Sequence, residues 1–301
     1  MTRSEFSGNG GTASHSPGRS PMPREHSYRD MSYAQINAAY DNRRRVGNCQ
    51  AIFDDWALRS EVVYARRRVY RDLRYGVHPR QRLDLFPASA PHRPTLLYLH
   101  GGYWQWNTKE EEAFIAEGPL SHEINVVLCE YRLCPEFGIG ELLSDVSAAI
   151  DWIAPRLSRY GAHPDQLVVA GSSSGAHLAA MLLPRAEVCG ALLVSGIYDL
   201  EPIRRSWLNE VIGLDKKDVQ RLSPIRQIPR TTAKIALVVG SEESSEFRRQ
   251  TLEYHRACLG RNISSLQRVL DGRDHFTVMD ELASATGRLT GLLLQIYRQT
   301  L

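Results

Sequence analysis

The stretch that most constrains this chain runs from Val168 to Ala180. The apolar run Val168-Val169-Ala170 breaks at Gly171, passes Ser172-Ser173-Ser174, and resumes beyond Gly175 as the Ala/Leu-rich segment Ala176-His177-Leu178-Ala179-Ala180. A short apolar run followed by small residues and then helix formers reads as a buried strand turning sharply into a helix. Gly-x-Ser-x-Gly at such a junction holds the serine in strained backbone geometry with its hydroxyl exposed at the apex. Side chains two residues before and after would collide with the neighbouring strand and helix. Only Ser173 has glycine at both of those positions, which makes it the candidate nucleophile. Gly/Ser clusters are also ordinary turn material, so the pentapeptide needs partners elsewhere in the chain.

Composition permits a large α/β domain and excludes several other classes. The chain has 301 residues, 43% hydrophobic and 24% charged, within the range of globular proteins. A net charge of +3 is too small to imply nucleic acid as a partner. The runs Arg43-Arg44-Arg45 and Arg66-Arg67-Arg68 read as solvated faces, with a binding patch as the alternative. The five cysteines (Cys49, Cys129, Cys134, Cys189, Cys258) are dispersed, odd in number and lack a Cys-x-x-Cys pair, as expected of free thiols in a reducing compartment. No apolar run reaches transmembrane length and the N-terminus lacks the apolar core of a signal peptide, so no membrane is expected and a cytoplasmic location is.

Residues 1–27 are rich in Gly, Ser, Pro and Arg and are expected to be disordered, leaving a domain over 28–301. Helices are expected at 33–40 and 49–63, so that residues 31–63 lie near the mouth of the site. Strands are expected at 68–75, 82–86, 95–100, 124–131, 191–195, 235–239 and 265–270, besides the one before Gly171. Helices are expected at 110–117, 142–160 (with Leu143, Val146, Ile150 and Ile153 on one side) and 283–297. Strands alternating with helices imply a mostly parallel, doubly wound sheet of the α/β class. The charged stretch 201–230, with Trp207, Leu208, Val211 and Ile212, interrupts the alternation and reads as a small helical cap beside the pocket.

A serine hydroxyl needs a base, and the base needs an orienting group. In the α/β-hydrolase fold these follow in the order Ser, acid, His, each on a loop after a strand. His275 stands on a loop after the last expected strand. The acid should follow the strand ending at Val239-Gly240, where Glu243 is the choice and Glu242 the competitor; Asp271 and Asp274 share the short loop of His275 itself. His100-Gly101-Gly102-Tyr103-Trp104 follows an earlier strand, where the fold places its oxyanion donors. Backbone amides of Gly102 and Tyr103, with Ser174 after the nucleophile, are the expected donors, and Gly101 is a shaping residue or an extra donor. Tyr103, Trp104 and Trp106 are expected to line an aromatic substrate pocket. No His-x-x-x-His or clustered His/Asp set suggests a metal, and no cofactor is implied.

With these motifs placed, the chain resembles the arylformamidase (kynurenine formamidase) branch of the α/β-hydrolases, next to the hormone-sensitive-lipase-like esterases. The resemblance rests on residues 100–105, Tyr131-Arg132-Leu133-Cys134-Pro135, residues 195–200, Glu246-Phe247-Arg248-Arg249-Gln250 and His275-Phe276, and runs from about Tyr40 to the C-terminus. It implies metal-independent serine hydrolysis with Ser173, Glu243 and His275 in the matching positions. Two departures are Ser174, where the branch usually carries Ala, and Glu243, where it usually carries Asp; neither blocks catalysis.

The expected function is cleavage of a small carboxylic ester or an N-formyl aryl amide through an acyl-enzyme. The alternatives are a carboxylesterase for aromatic or alkyl esters with no formamidase role, and an inactive hydrolase scaffold used as a binding module. A small ester or amide is the expected partner, and the sequence leaves monomer and homodimer both open.

Overall fold

The computed structural model describes residues 28–299, and the N-terminal segment 1–27 lies outside the described residues. Eight strands form one sheet: β1 (Tyr70–Arg74), β2 (Arg82–Phe86), β3 (Arg93–Leu99), β4 (Asn125–Cys129), β5 (Ala162–Ser172), β6 (Val188–Val194), β7 (Lys234–Gly240) and β8 (Ser265–Leu270). Their spatial order is β1-β2-β4-β3-β5-β6-β7-β8; β2 pairs antiparallel with β1 and β4, and every other pair is parallel. The inner strands are near-continuous apolar runs because both faces are covered. Leu97, Val169, Leu193 and Leu237 pack on one side of the sheet, while Leu96, Val168, Leu192 and Val238 pack on the other.

Twelve α-helices flank the sheet among the described residues. Three open the chain, α1 (Tyr33–Tyr40), α2 (Asn42–Arg45) and α3 (Cys49–Arg66), followed by α4 (Glu117–Ser121), α5 (Ile139–Ile153) and α6 (Ser174–Met181). The stretch 201–226 holds three short helices, α7 (Glu201–Arg204), α8 (Asn209–Ile212) and α9 (Lys216–Leu222), and a 3-10 turn. The last three are α10 (Ser245–Leu259), α11 (Asp280–Ala283) and α12 (Arg288–Tyr297). None of them is long and apolar enough to cross a membrane.

Three elements differ from expectation, each for a local reason. The helix expected at 110–117 is a turn followed by a 3-10 segment (Ala113–Ala116) and then α4, because Phe114 N donates to Ser60 Oγ (3.0 Å) instead of to a helical carbonyl. The helix expected over 142–160 is α-helical to Ile153 and 3-10 beyond, where Pro155 has no N–H to continue the ladder. The helix starts earlier, at Ile139, where its buried stripe also begins, and Leu143 is only half-buried. The helix expected at 283–297 is split into α11 and α12 by an extended Ser284, and Glu281 accepts from the Arg288 amide at 2.8 Å across the break.

Candidate active site

The elbow between β5 and α6 has the geometry its glycines allow. Ser173 sits at φ 54°, ψ −118°, a strained conformation for a non-glycine residue. A β-carbon on Gly171 would lie 2.4 Å from the Gly175 carbonyl carbon, and one on Gly175 would lie 2.1 Å from Leu99 O. The backbones of β3, the turn and α6 therefore meet at distances that only glycine permits.

The three adjacent serines have different surroundings. Ser172 Oγ accepts from the Tyr98 hydroxyl (3.1 Å), and Ser174 Oγ accepts from Trp104 N (3.2 Å). Ser173 lines a cleft, partly open to solvent and walled largely by aromatic rings, together with Ser172 and His275.

The loop after β8 brings His275 to the same cleft, with the imidazole packed against Phe247 (4.5 Å between ring centroids). Its Nδ1–H donates to Glu243 Oε2 at 2.7 Å. Glu243 is buried, and its other oxygen accepts from Ser195 Oγ (2.5 Å) and from the Gly240 amide (2.7 Å). The Arg248 guanidinium binds the carbonyls of Ser241 and Glu243 and holds the loop in place. Glu242 points to solvent, where its carboxylate accepts from Ser241 Oγ. Asp274 caps the turn that follows by accepting from the amides of Phe276 and Thr277. Glu243 and not Glu242 thus faces the imidazole, leaving Nε2 as the ring nitrogen not bound to Glu243.

The loop after β3 turns through three consecutive left-handed residues, Gly102 (φ 105°), Tyr103 (φ 48°) and Trp104 (φ 61°). The amides of Gly102, Tyr103 and Ser174 have no protein acceptor among the described residues. Gly101 corrects the expectation of an extra donor. Its N–H is committed to Glu112 Oε1 at 3.1 Å, so it shapes the loop instead. Glu112 also accepts from Tyr98 OH (2.6 Å) and Asn107 Nδ2 (2.9 Å), making it the buried anchor behind the loop.

Of the three aromatic residues expected in the pocket, Tyr103 and Trp106 line the cleft and Trp104 does not. The Trp104 side chain turns into the core, fully buried, with its ring edge-on to His177 at 5.0 Å. Its left-handed backbone aims it away from the cavity, and its indole N–H donates to His177. Tyr103 links the loop to the N-terminal helices, donating to Tyr40 O (2.7 Å) and accepting from Asn42 Nδ2 (3.1 Å). Tyr40, Asn42, Phe53 and Trp56 from those helices and Trp207 from the 201–226 stretch complete the walls.

Ser195, Glu112 and Arg43 were not identified as site residues from sequence. Ser195 follows β6 at φ 52° and reaches Glu243 only through the parallel pairing of β6 with β7. Nothing in local spacing marks Glu112, since the turn that presents it replaces an expected helix. Arg43 sits in an arginine run whose plain reading is a solvated face.

A second buried histidine supports the same loop. His100 stacks on Tyr131 (4.3 Å, 8° between planes) and bonds Gly101 O (2.9 Å) and Glu130 Oε1 (3.1 Å). Both partners are acceptors, an arrangement that favours the protonated ring. Burial opposes that charge, but the adjacent Glu130 carboxylate outweighs it and raises the pKa above the ordinary 6.5.

Comparison with known proteins gives this arrangement a context. A family model described as BD-FAE matches residues 83–187. A kynurenine formamidase of Danio rerio is 31% identical over 257 residues, covering 80% of this chain and 86% of the fish protein. One from Salmo salar is 32% identical over 74% of this chain and 80% of its own length. Among solved structures, a thioesterase candidate from Silicibacter sp. tm1040 superimposes with a TM-score of 0.79 at 26% identity, covering 86% of this chain and 99% of that one. A thermostable carboxylesterase from a metagenomic library superimposes at 0.67 and 18% identity over 84% and 96% of the two chains, a likeness of fold.

Proposed function

The chain belongs to the kynurenine formamidase family of α/β-hydrolases, and from that membership we propose that it is a serine hydrolase cleaving N-formyl aryl amides, with Ser173 as nucleophile, His275 as base and Glu243 as the group that orients the base. The observation that carries the reading is the 2.7 Å bond from His275 Nδ1 to the buried Glu243, on the same cleft as a strained Ser173. The bond fixes the tautomer that leaves Nε2 free to accept the serine proton, and Glu243 stabilises the imidazolium that results.

Ser173 Oγ then bonds to the formyl carbon while its proton passes to His275 Nε2. The carbonyl oxygen, now an oxyanion, accepts from the amides of Gly102, Tyr103 and Ser174, each donor being worth about 3–4 kcal/mol. Collapse breaks the C–N bond, and His275 returns its proton to the departing arylamine. Water, deprotonated by His275, releases formate from the acyl-enzyme and regenerates Ser173.

A second reading is a carboxylesterase for small aromatic esters. It is favoured by the aromatic lining of the cleft, with Phe53, Trp56 and Trp106 among its walls. Steady-state turnover of N-formyl-L-kynurenine beside phenyl acetate, with Ser173→Ala as blank, separates the two. A hundredfold advantage in kcat/KM for the formyl amide, roughly 2.7 kcal/mol of transition-state preference, establishes the formamidase. Ester turnover alone establishes the esterase. Failure of a fluorophosphonate to label Ser173 would overturn both and leave the binding-scaffold reading.

A further inference from the structure

Arg43 separates from the rest of its arginine run. The turn between α1 and α2 is built by Asp41, whose carboxylate accepts from Arg44 N (3.1 Å), and is tied to the loop after β3 through Tyr103. That tie fixes the position of residues 41–43 relative to Ser173. Arg44 and Arg45 face a different, open groove, whereas Arg43 lines the cleft with Ser173 and His275. Its guanidinium lies over the rings of Trp106 (5.3 Å) and Phe53 (5.4 Å), both of which also line the cleft.

Three observations point to a ligand for this group. Arg43 is the one Lys or Arg of the cleft wall among the described residues. No carboxylate lies within ion-pairing distance of it among the described residues, whereas elsewhere in the fold Arg80 pairs with Glu130 and Arg249 with Glu246. The two nearby acids are already engaged, Glu112 by three donors and Asp41 by the Arg44 amide. Two aromatic faces hold the guanidinium without using up its N–H donors. Such a planar fork is suited to bidentate binding of a carboxylate.

We propose that Arg43 is a specificity-determining residue that binds a carboxylate on the leaving aryl portion of the substrate while the scissile carbonyl lies at Ser173. This rests on the hydrolase reading above and adds to it the residue of this chain that selects for an anionic tail. Aromatic rings of the cleft wall contact the aryl body, and the charge stays at the rim beside Trp106.

Matched substrates test it. N-formyl-L-kynurenine is compared with its neutral α-carboxamide, and carboxymethyl-substituted phenyl acetate with plain phenyl acetate, in the wild type, Arg43→Gln and Arg43→Lys. The expected result is a ten- to hundredfold fall in the anionic-to-neutral kcat/KM ratio for Arg43→Gln, mainly through KM, with partial recovery in Arg43→Lys and a fall in the wild-type ratio as salt is raised. Calorimetric titration with L-kynurenine reads the same contact without turnover, and the affinity should fall by at least tenfold in Arg43→Gln. A ratio and an affinity within twofold of wild type would overturn the role of Arg43 and leave the hydrolase reading intact. Loss of all turnover in wild type with the difference in L-kynurenine affinity preserved would overturn the hydrolase reading and leave the carboxylate site standing.

Discussion

The indole N–H of Trp104 donates to Nδ1 of His177 at 3.3 Å, joining the loop after β3 to the helix that follows the nucleophile elbow. The other ring nitrogen donates to Leu222 O at 2.8 Å, so one neutral imidazole clamps the loop after β3, α6 and α9 together.

Burial holds the His177 pKa down to about 4 from its ordinary 6.5. Because the unfolded chain binds this proton more readily, the contribution is complete above pH 6.5 and is lost as pH falls through that value toward 4. It amounts to about 3 kcal/mol. Urea unfolding between pH 7.5 and 4 should therefore show a steeper acid loss in the wild type than in His177→Gln. Parallel curves would refute the assignment.

His100 has the opposite sign. Its folded-state pKa is raised by Glu130 against the cost of burial, so its stabilisation is complete below pH 6.5 and lost as pH rises through the folded value. Glu130→Gln removes the anion shared by His100 and Arg80 (2.5 Å), and breaking such a buried pair costs about 3–5 kcal/mol. The variant's stability, followed by denaturant titration, should also lack the wild type's loss on the alkaline side. A variant that keeps that loss would place its origin elsewhere.

The two adjacent glutamates should separate cleanly in kinetics. Glu243→Gln keeps the shape but offers Nδ1 of His275 the wrong hydrogen-bond pattern, and kcat should fall by roughly 10³–10⁴-fold. Glu242→Ala removes only an exposed contact with Ser241, and kcat should stay within about threefold, since surface changes rarely exceed ~0.5 kcal/mol. Equal losses in both variants would sink the triad assignment of Glu243.

Ser195 touches the proposed triad only through Glu243. Ser195→Ala deletes a 2.5 Å bond to the carboxylate while leaving the Gly240 amide in place. A hydrogen bond to a charged group is worth about 1.5–3 kcal/mol, so kcat should drop by at least tenfold with KM little changed. A change confined to thermal stability would assign Ser195 a purely structural role.

Much of this site is legible in one dimension because its chemistry demands particular residues at fixed short spacings. Gly171 and Gly175 declare the elbow, since any β-carbon there would strike backbone within 2.4 Å. His275 was marked by its place after the last strand, and the order of strands and helices implied the parallel sheet. Short spacing cannot say which way a side chain points. The sequence left Glu242 and Glu243 in competition and sent Trp104 to the pocket, whereas the structure buries Glu243 against His275 and turns Trp104 into the core. Ser195 meets Glu243 across 48 positions and Arg43 meets Trp106 across 63, contacts set by strand pairing and by the packing of the N-terminal helices on the loop after β3, while Glu112 is presented by a turn that no local spacing announces. The sequence by itself thus determined the fold and singled out Ser173 and His275 as the candidate nucleophile and base, through steric requirements confined to a few neighbouring residues. Only the tertiary structure decided what supports them and what the cleft wall presents to a ligand, because hydrogen bonds and charge depend on distances through space that the order of residues does not contain.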